Sequence, residues 1–430
     1  MHNYKINNSF FKGNRDKLCK LLKNDSVAVI SSNDIMPTNA DGTMKFRQNS
    51  DLFYLTGILQ EETILLLYPG SKEEASREIL FIRDHNPDLE VWEGKKLSIP
   101  EAGCISGINS VFELSKFEKI FHDIICKVEN IYLNLNEHDR ASNVVENREM
   151  RFIKNIREKY PLHIFRRLGH LIYGLRVIKS PIETEFIKKA CELSNAGFRR
   201  VMKFLKPGVY EYEIEAELAH EFIKGGSSFA DYDPIIASGE NSCYLHYIKN
   251  DMVCNSGDVL LIDAAAGYAN YNSDMTRTLP VNGKFSPRQK QIYNAVLRVM
   301  RGTISEMKPG RSVKELQYIT RELIGKELVD LGLLKTNDIK DLKTKSPVFK
   351  KFYPHDVSHF LGLAVHDVGV FDDPMQPGMV LTCEPGIYIL EEKLGVRIEN
   401  NILITENGNI DFMANTPVEP DEIEDIMNSK

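Results

Sequence analysis

No run in the sequence approaches the roughly eighteen apolar residues that a membrane-spanning helix needs, so a soluble chain with no membrane partner is expected. The opening Met1-His2-Asn3-Tyr4-Lys5 lacks the basic start and apolar stretch of a secretory signal, which makes the cytoplasm the expected compartment. The seven cysteines are odd in number, scattered, and form no Cys-x-x-Cys pair, excluding a disulfide framework and a zinc knuckle; reduced, mostly buried thiols are expected. An excess of basic charge is missing too. With a formal charge of -7 and only short basic clusters, Arg166-Arg167 and Arg199-Arg200, no nucleic-acid partner is expected, and these clusters read as solvated helix faces. Neither a phosphate loop nor a His-Glu-x-x-His zinc helix is present: His220-Glu221 is followed by Lys224 where the second histidine would stand, so the pair belongs to an ordinary helix face.

At 430 residues the chain exceeds what one hydrophobic core usually serves, and two domains are expected, residues 1–175 and 176–430. The first alternates short apolar runs, among them Val27-Ala28-Val29-Ile30, 63–68 and 79–82, with helix-like segments, as an α/β domain does. Ser180-Pro181-Ile182-Glu183 then combines a serine cap, a proline at the first helical position and a glutamate three residues after the cap. The helix begun there runs to Lys206-Pro207-Gly208, a second runs from Glu211 to Lys224, and strands are expected over about 230–280. The same order recurs roughly 100 residues on: Ser286-Pro287 opens a helix, Lys308-Pro309-Gly310 closes it, Ser312 to Glu315 caps the next, and strands are expected over about 356–412. These signals are common helix punctuation, yet their paired recurrence favours a duplicated α+β unit whose two curved sheets enclose a cleft.

The chemistry-bearing residues fall in this second part. The apolar strand Val259-Leu260-Leu261-Ile262 delivers Asp263, and a second strand carries Asp274 ahead of Thr276-Arg277-Thr278; a hairpin can bring the two carboxylates together. Desolvating an ionised carboxylate is costly, so Asp263 needs a cation or hydrogen-bond donors. Three of the chain's eleven histidines, His355, His359 and His366, lie within twelve residues punctuated by Pro354 and Gly362, which favours loop and strand over helix. Glu384 ends an apolar strand ahead of Pro385-Gly386, while Arg397 and Glu399 stand two apart and therefore on the same face of a strand. Together Asp263, Asp274, His359, Glu384 and Glu399 form a hard, oxygen-rich set suited to two divalent ions, with Arg397 offsetting residual negative charge.

These five residues and their spacings resemble the ligand signature of the pita-bread metallopeptidases, over about residues 175–415. Ser238-Gly239-Glu240-Asn241-Ser242, Leu245-His246-Tyr247 and the His355, His359, His366 spacing are similar to its proline-specific branch. The stretches Arg47-Gln48-Asn49-Ser50-Asp51-Leu52-Phe53-Tyr54-Leu55-Thr56-Gly57 and Asp88-Leu89-Glu90-Val91-Trp92-Glu93-Gly94 resemble the aminopeptidase P family, extending the likeness to nearly the whole chain. The resemblance implies an α/β N-terminal domain serving oligomerisation and substrate access, and an α+β pita-bread catalytic domain of two pseudo-symmetric halves. It implies hydrolysis of the N-terminal Xaa-Pro bond by a hydroxide on a dinuclear metal site. Asp263 would hold one metal, Asp274 and Glu399 both, and His359 with Glu384 the second; manganese is expected first, with cobalt, zinc or iron able to fill the same cage. Glu384 is expected to shuttle the proton, His246 and His366 to bind the substrate carbonyl, His355 to border the proline pocket, and Tyr388 and Arg397 to orient the metal-bound carboxylates. The partners implied are peptides with proline at the second position and further copies of the chain, as a homodimer or homotetramer; Trp92 either packs as an ordinary core or surface residue or reaches a neighbouring cleft. Prolidase, which cuts only Xaa-Pro dipeptides, is the alternative; a non-catalytic binding protein or a creatinase-like hydrolase on this fold has no sequence feature in its favour.

Overall fold

The structure, a computed structural model, describes residues 6–141, 144–339 and 346–429. Its chain divides into two compact units at Arg176 and Val177. Among the described residues no helix is long and apolar enough to cross a membrane.

The N-terminal unit is built on a six-stranded sheet of β1 (Ser26–Ser31), β2 (Ile64–Leu67), β3 (Glu78–Ile82), β4 (Ser110–Glu113), β5 (Asn130–Leu133) and β6 (Ile164–Arg167), in the order β4-β3-β2-β1-β5-β6. β1 pairs in parallel with β5, Val27 opposite Ile131, and antiparallel with β2, Ala28 opposite Leu67. β1 and β2 are buried along their whole length, which explains why their sequences read as unbroken apolar runs and not as alternation. One face packs Val27, Val29, Leu66, Phe81, Phe121 and Ile131 into a continuous core. Arg166-Arg167 lies on the edge strand β6 and not on a helix: Arg166 Nε donates to Asn130 Oδ1 (2.6 Å) and Arg167 pairs with Glu137 (2.8 Å), so both charges blunt an open sheet edge. Arg199-Arg200 does lie on a helix, Pro181–Phe204. The N-terminal unit also holds a buried polar cluster, in which Asn134 Nδ2 donates to Asp51 Oδ2 (2.9 Å) and Glu149 Oε1 (3.1 Å), and Arg176 Nη1 pairs with Asp51 Oδ1 (2.7 Å).

In the second unit the expected helix starts are realised. Ser180 and Glu183 form a capping box at the head of Pro181–Phe204, with Ser180 N donating to Glu183 Oε2 (2.8 Å). Helix Glu211–Lys224 follows, then β7 (Ser228–Phe229), β8 (Ile235–Ser238), β9 (Val259–Asp263), β10 (Ala266–Tyr268), β11 (Tyr271–Asn272) and β12 (Thr276–Pro280). Capped helices Pro287–Glu306 and Val313–Asp330 repeat the pattern, followed by β13 (Val380–Cys383), β14 (Gly386–Ile389), β15 (Leu394–Arg397), β16 (Asn400–Thr405) and β17 (Gly408–Asp411). The sheets are antiparallel, in the orders β12-β9-β8, β11-β10-β7, β13-β16-β17 and β14-β15.

Three local readings change. Strands are expected from about residue 356, but 356–379 forms none beyond isolated bridges of Phe360 with Leu381 and of Pro374 with Ser312. This stretch satisfies its backbone in tight turns, Gly362 N to Ala364 O (3.1 Å) and Asp367 N to Phe360 O (2.8 Å), and a Cβ at Gly362 would lie 2.2 Å from Asp367 Oδ2. Asp274 does not lie within a strand: it sits between β11 and β12, and the simple hairpin is replaced by a β9–β12 pair, Asp263 opposite Thr276, with β10 and β11 inserted between them. Arg397 and Glu399 do not share a strand either. The chain leaves β15 after Arg397, turns with Ile398 N on Pro385 O (3.3 Å) and Glu399 N on Thr276 O (3.1 Å), and re-enters pairing against β13 at Asn400.

Candidate active site

These strand ends and turns surround a cavity of about 450 Å³ lined by Asp263, Asp274, His359, Glu384, Arg397 and Glu399, with His246, His355 and His366 on its walls. β9 ends at Asp263, whose Oδ2 pairs with Arg397 Nη2 at 2.6 Å while Oδ1 has no hydrogen-bond partner. Asp274 is fixed through its backbone: Asn401 Oδ1 accepts from Asp274 N (3.0 Å) and Asn401 Nδ2 donates to Asp274 O (2.7 Å). Its carboxylate accepts from Tyr232 OH at 2.8 Å. Glu399 Oε2 accepts from Thr276 Oγ1 at 2.7 Å, leaving Oε1 without a partner. Glu384 follows β13, its N–H donating to Val357 O at 2.8 Å.

His359 shows what the cluster needs. Its Nδ1 lies 3.0 Å from Phe360 O, which only accepts, so Nδ1 carries a proton and Nε2 faces the cavity. Nε2 stands 3.3 Å from Asp274 Oδ2 and 3.6 Å from Glu384 Oε1. Ligand atoms of Asp274, His359 and Glu399 lie within 4.8 Å of one another. Burial and then the charge of neighbouring carboxylates push Asp274, Glu384 and Glu399 well above the ordinary carboxylate range; Asp263 is the main neighbour for Asp274, Glu399 for Glu384, and Asp274 for Glu399. An imidazole nitrogen facing carboxyl groups, two buried oxygens without a hydrogen-bond partner among the described residues, and four acids against one guanidinium fit divalent cations bound among them.

Behind the cavity, Tyr388 OH links Arg397 Nη1 (2.9 Å) to His355 Nε2 (2.8 Å), and His355 Nδ1 lies 2.8 Å from Asp356 O. With neutral His355 the directions are fixed: Arg397 donates to the phenol, the phenol to Nε2, and Nδ1 to the carbonyl. Tyr388 itself is buried on β14 and does not reach the cavity surface, whereas the rings of His359 and His366 meet edge to face at 4.3 Å. All ten sequence-selected residues thus gather at this cavity or directly behind it. Sequence reasoning missed Tyr232, Thr276 and Asn401, which position the carboxylates; a tyrosine, a strand threonine and an asparagine carry no signal that separates them from ordinary turn and strand residues.

The sequence profile of metallopeptidase family M24 matches residues 185–406, and that of the aminopeptidase P N-terminal domain matches residues 11–132. The chain is 35% identical to the Xaa-Pro aminopeptidase of Haemophilus influenzae, over 97% of each chain. It is similar to the solved structure of Pseudomonas aeruginosa aminopeptidase PepP, with 34% identity, a TM-score of 0.90 and 98% of each chain covered. It also matches E. coli aminopeptidase P with the inhibitor Pro-Leu, with 32% identity, a TM-score of 0.89 and 99% of each chain covered. With the carboxylate–histidine cluster inside the first matched segment and strands β1 to β4 of the N-terminal sheet inside the second, the chain belongs to metallopeptidase family M24 and carries an aminopeptidase P N-terminal domain.

Proposed function

We propose that this chain is a metal-dependent aminopeptidase that removes the first residue from peptides with proline second. The observation that carries this reading is the complete carboxylate–histidine set opening onto the same cavity as His246, His355 and His366. Asp263 would hold one divalent ion and His359 with Glu384 the other, with Asp274 and Glu399 contributing to both; the oxygen-rich set favours manganese over cobalt, zinc or iron. Bound ions of this kind supply Lewis acidity at the scissile carbonyl and a water activated near neutral pH.

The protein's own groups do the rest. Glu384 takes the proton of the attacking water and delivers it to the departing proline nitrogen. His246 and His366 donate to the carbonyl oxygen as charge develops on it. His355 borders the proline ring, held by the Tyr388–Arg397 chain, and Leu245, Ile248 and Val365 supply apolar wall. A tertiary amide has no N–H, so the site needs no acceptor there and discriminates by shape.

The N-terminal domain, taken as residues 1–175 with the catalytic domain over 176–430, serves oligomerisation and substrate access in a homodimer or homotetramer. Helix Pro87–Glu93 leaves Val91 and Trp92 exposed, 83% and 85%, as the apolar pair for such a contact, with Trp92 reaching a neighbour's cleft. Seven free cysteines agree with a cytoplasmic location.

Chelator-stripped protein given manganese should release the first amino acid from an Xaa-Pro-Yaa tripeptide. Cleavage of Xaa-Pro dipeptide alone would make it a prolidase, and no metal-dependent cleavage of either would end the peptidase reading.

A further inference from the structure

His246 makes no hydrogen bond among the described residues and is exposed at the cavity wall, so its placement comes from its neighbours. The segment carrying it, residues 239–252, has one 3₁₀ turn, Gly239–Cys243, and no strand before β9. Beneath it lies Glu211, the first residue of helix Glu211–Lys224 and 0% exposed. Glu211 Oε1 accepts from Ser238 N (2.7 Å), Ser238 Oγ (2.7 Å) and Asn241 Nδ2 (3.3 Å). Oε2 accepts from Tyr247 OH (2.8 Å) and Met252 N (3.0 Å). One carboxylate therefore grips the start, middle and end of the segment through five neutral donors.

The grip bears on His246 from both sides. Leu245 and Tyr247 pack against Ile235, Ala237, Leu261 and Tyr388, and the Tyr247 hydroxyl reaches Glu211 from that packing. Burial, followed by the Glu211 carboxylate, raises the Tyr247 phenol, which keeps its proton and donates. We propose that Glu211 is a positioning residue for hydrolysis: it acts through Tyr247 to hold His246 where it meets the substrate carbonyl. The inference rests on the substrate-binding role given to His246 above.

A double-mutant cycle on the manganese-loaded enzyme with an Xaa-Pro-Yaa tripeptide tests it. Tyr247→Phe removes one of the five bonds and should lower kcat/KM about fivefold to tenfold, the size of one ordinary hydrogen bond, through kcat more than KM. Glu211→Gln places an amide against donors and should lower it further. In a His246→Ala background neither change should have any further effect. An equal loss with and without His246 would overturn the inference, leaving Glu211 a purely structural anchor; so would wild-type kcat/KM in Tyr247→Phe, the variant that carries the cycle if Glu211→Gln does not fold. Should His246→Ala alone retain full kcat/KM, the role of His246 itself falls, and the inference with it.

Discussion

Removing the Tyr388 hydroxyl breaks the chain between His355 and Arg397 at its centre. Burial pushes this phenol up to about 12 against the opposing pull of Arg397, so it is protonated at neutral pH and donates to His355 while accepting from the guanidinium. Tyr388→Phe keeps the ring that packs with Ile235, Ala237 and Leu261 and deletes two buried hydrogen bonds. The bond from charged Arg397 is worth about 1.5–3 kcal/mol and the neutral bond to His355 about 0.5–1.5 kcal/mol, so a loss of about 2–4.5 kcal/mol is expected. At roughly 2 °C per kcal/mol for a unit of this size, the metal-loaded variant should melt at least about 4 °C lower. His355 loses the donor that fixes its ring, and kcat/KM on an Xaa-Pro-Yaa tripeptide should fall about tenfold or more. Melting by calorimetry and initial-rate kinetics on the same preparation read both effects. A variant that melts within a degree of wild type and keeps its kcat/KM would show that the hydroxyl orients nothing, and the reasoning about the chain would be wrong.

Two further outcomes follow from the buried carboxylates. Stripping divalent metal with a chelator should lower the melting temperature and manganese should restore it; at a free concentration near 100 times Kd each site contributes about 2.7 kcal/mol, or roughly 5–10 °C, and unchanged melting would argue against cations in the cluster. In the N-terminal unit, burial and then the Asp51 charge push the Glu149 carboxyl up to about 8. A folded-state value above the unfolded one means that stability from its bound proton is complete below the ordinary carboxylate range and is lost as pH rises toward that value. Glu149→Gln is neutral throughout, so wild type should lose stability relative to it between about pH 5 and 8, by up to about 1.4 kcal/mol per pH unit. Urea midpoints of the two proteins measured across that range should diverge, and parallel curves would refute the burial argument.

How far the sequence could be read depended on whether the physics was local. Ser180 with Glu183, Ser286 with Gln289, and Ser312 with Glu315 are complete signals within four residues, and each begins a helix at the position expected. Asp263 and Glu384 stood out because an acid at the end of an apolar strand is costly without a cation or donors. The Arg397–Glu399 stretch misled because alternation within a strand is a local pattern, whereas the turn between β15 and β16 is imposed by Pro385 and Thr276, far off in sequence. Asn401 and Tyr232 were silent for the same reason: each acquires its role from Asp274, 127 and 42 residues away.

The contact between Glu399 and β12 also bears on synthesis. Thr276 and Asp274 leave the ribosome more than a hundred residues before Glu399 and Asn401, the groups that hydrogen-bond to them. Until then the first-made acids have neither their clamp nor their full set of partners, and a nascent chain holds an open, uncompensated cluster. A translation product that ends before Glu399 therefore lacks both the full set of acids and the clamp on Asp274.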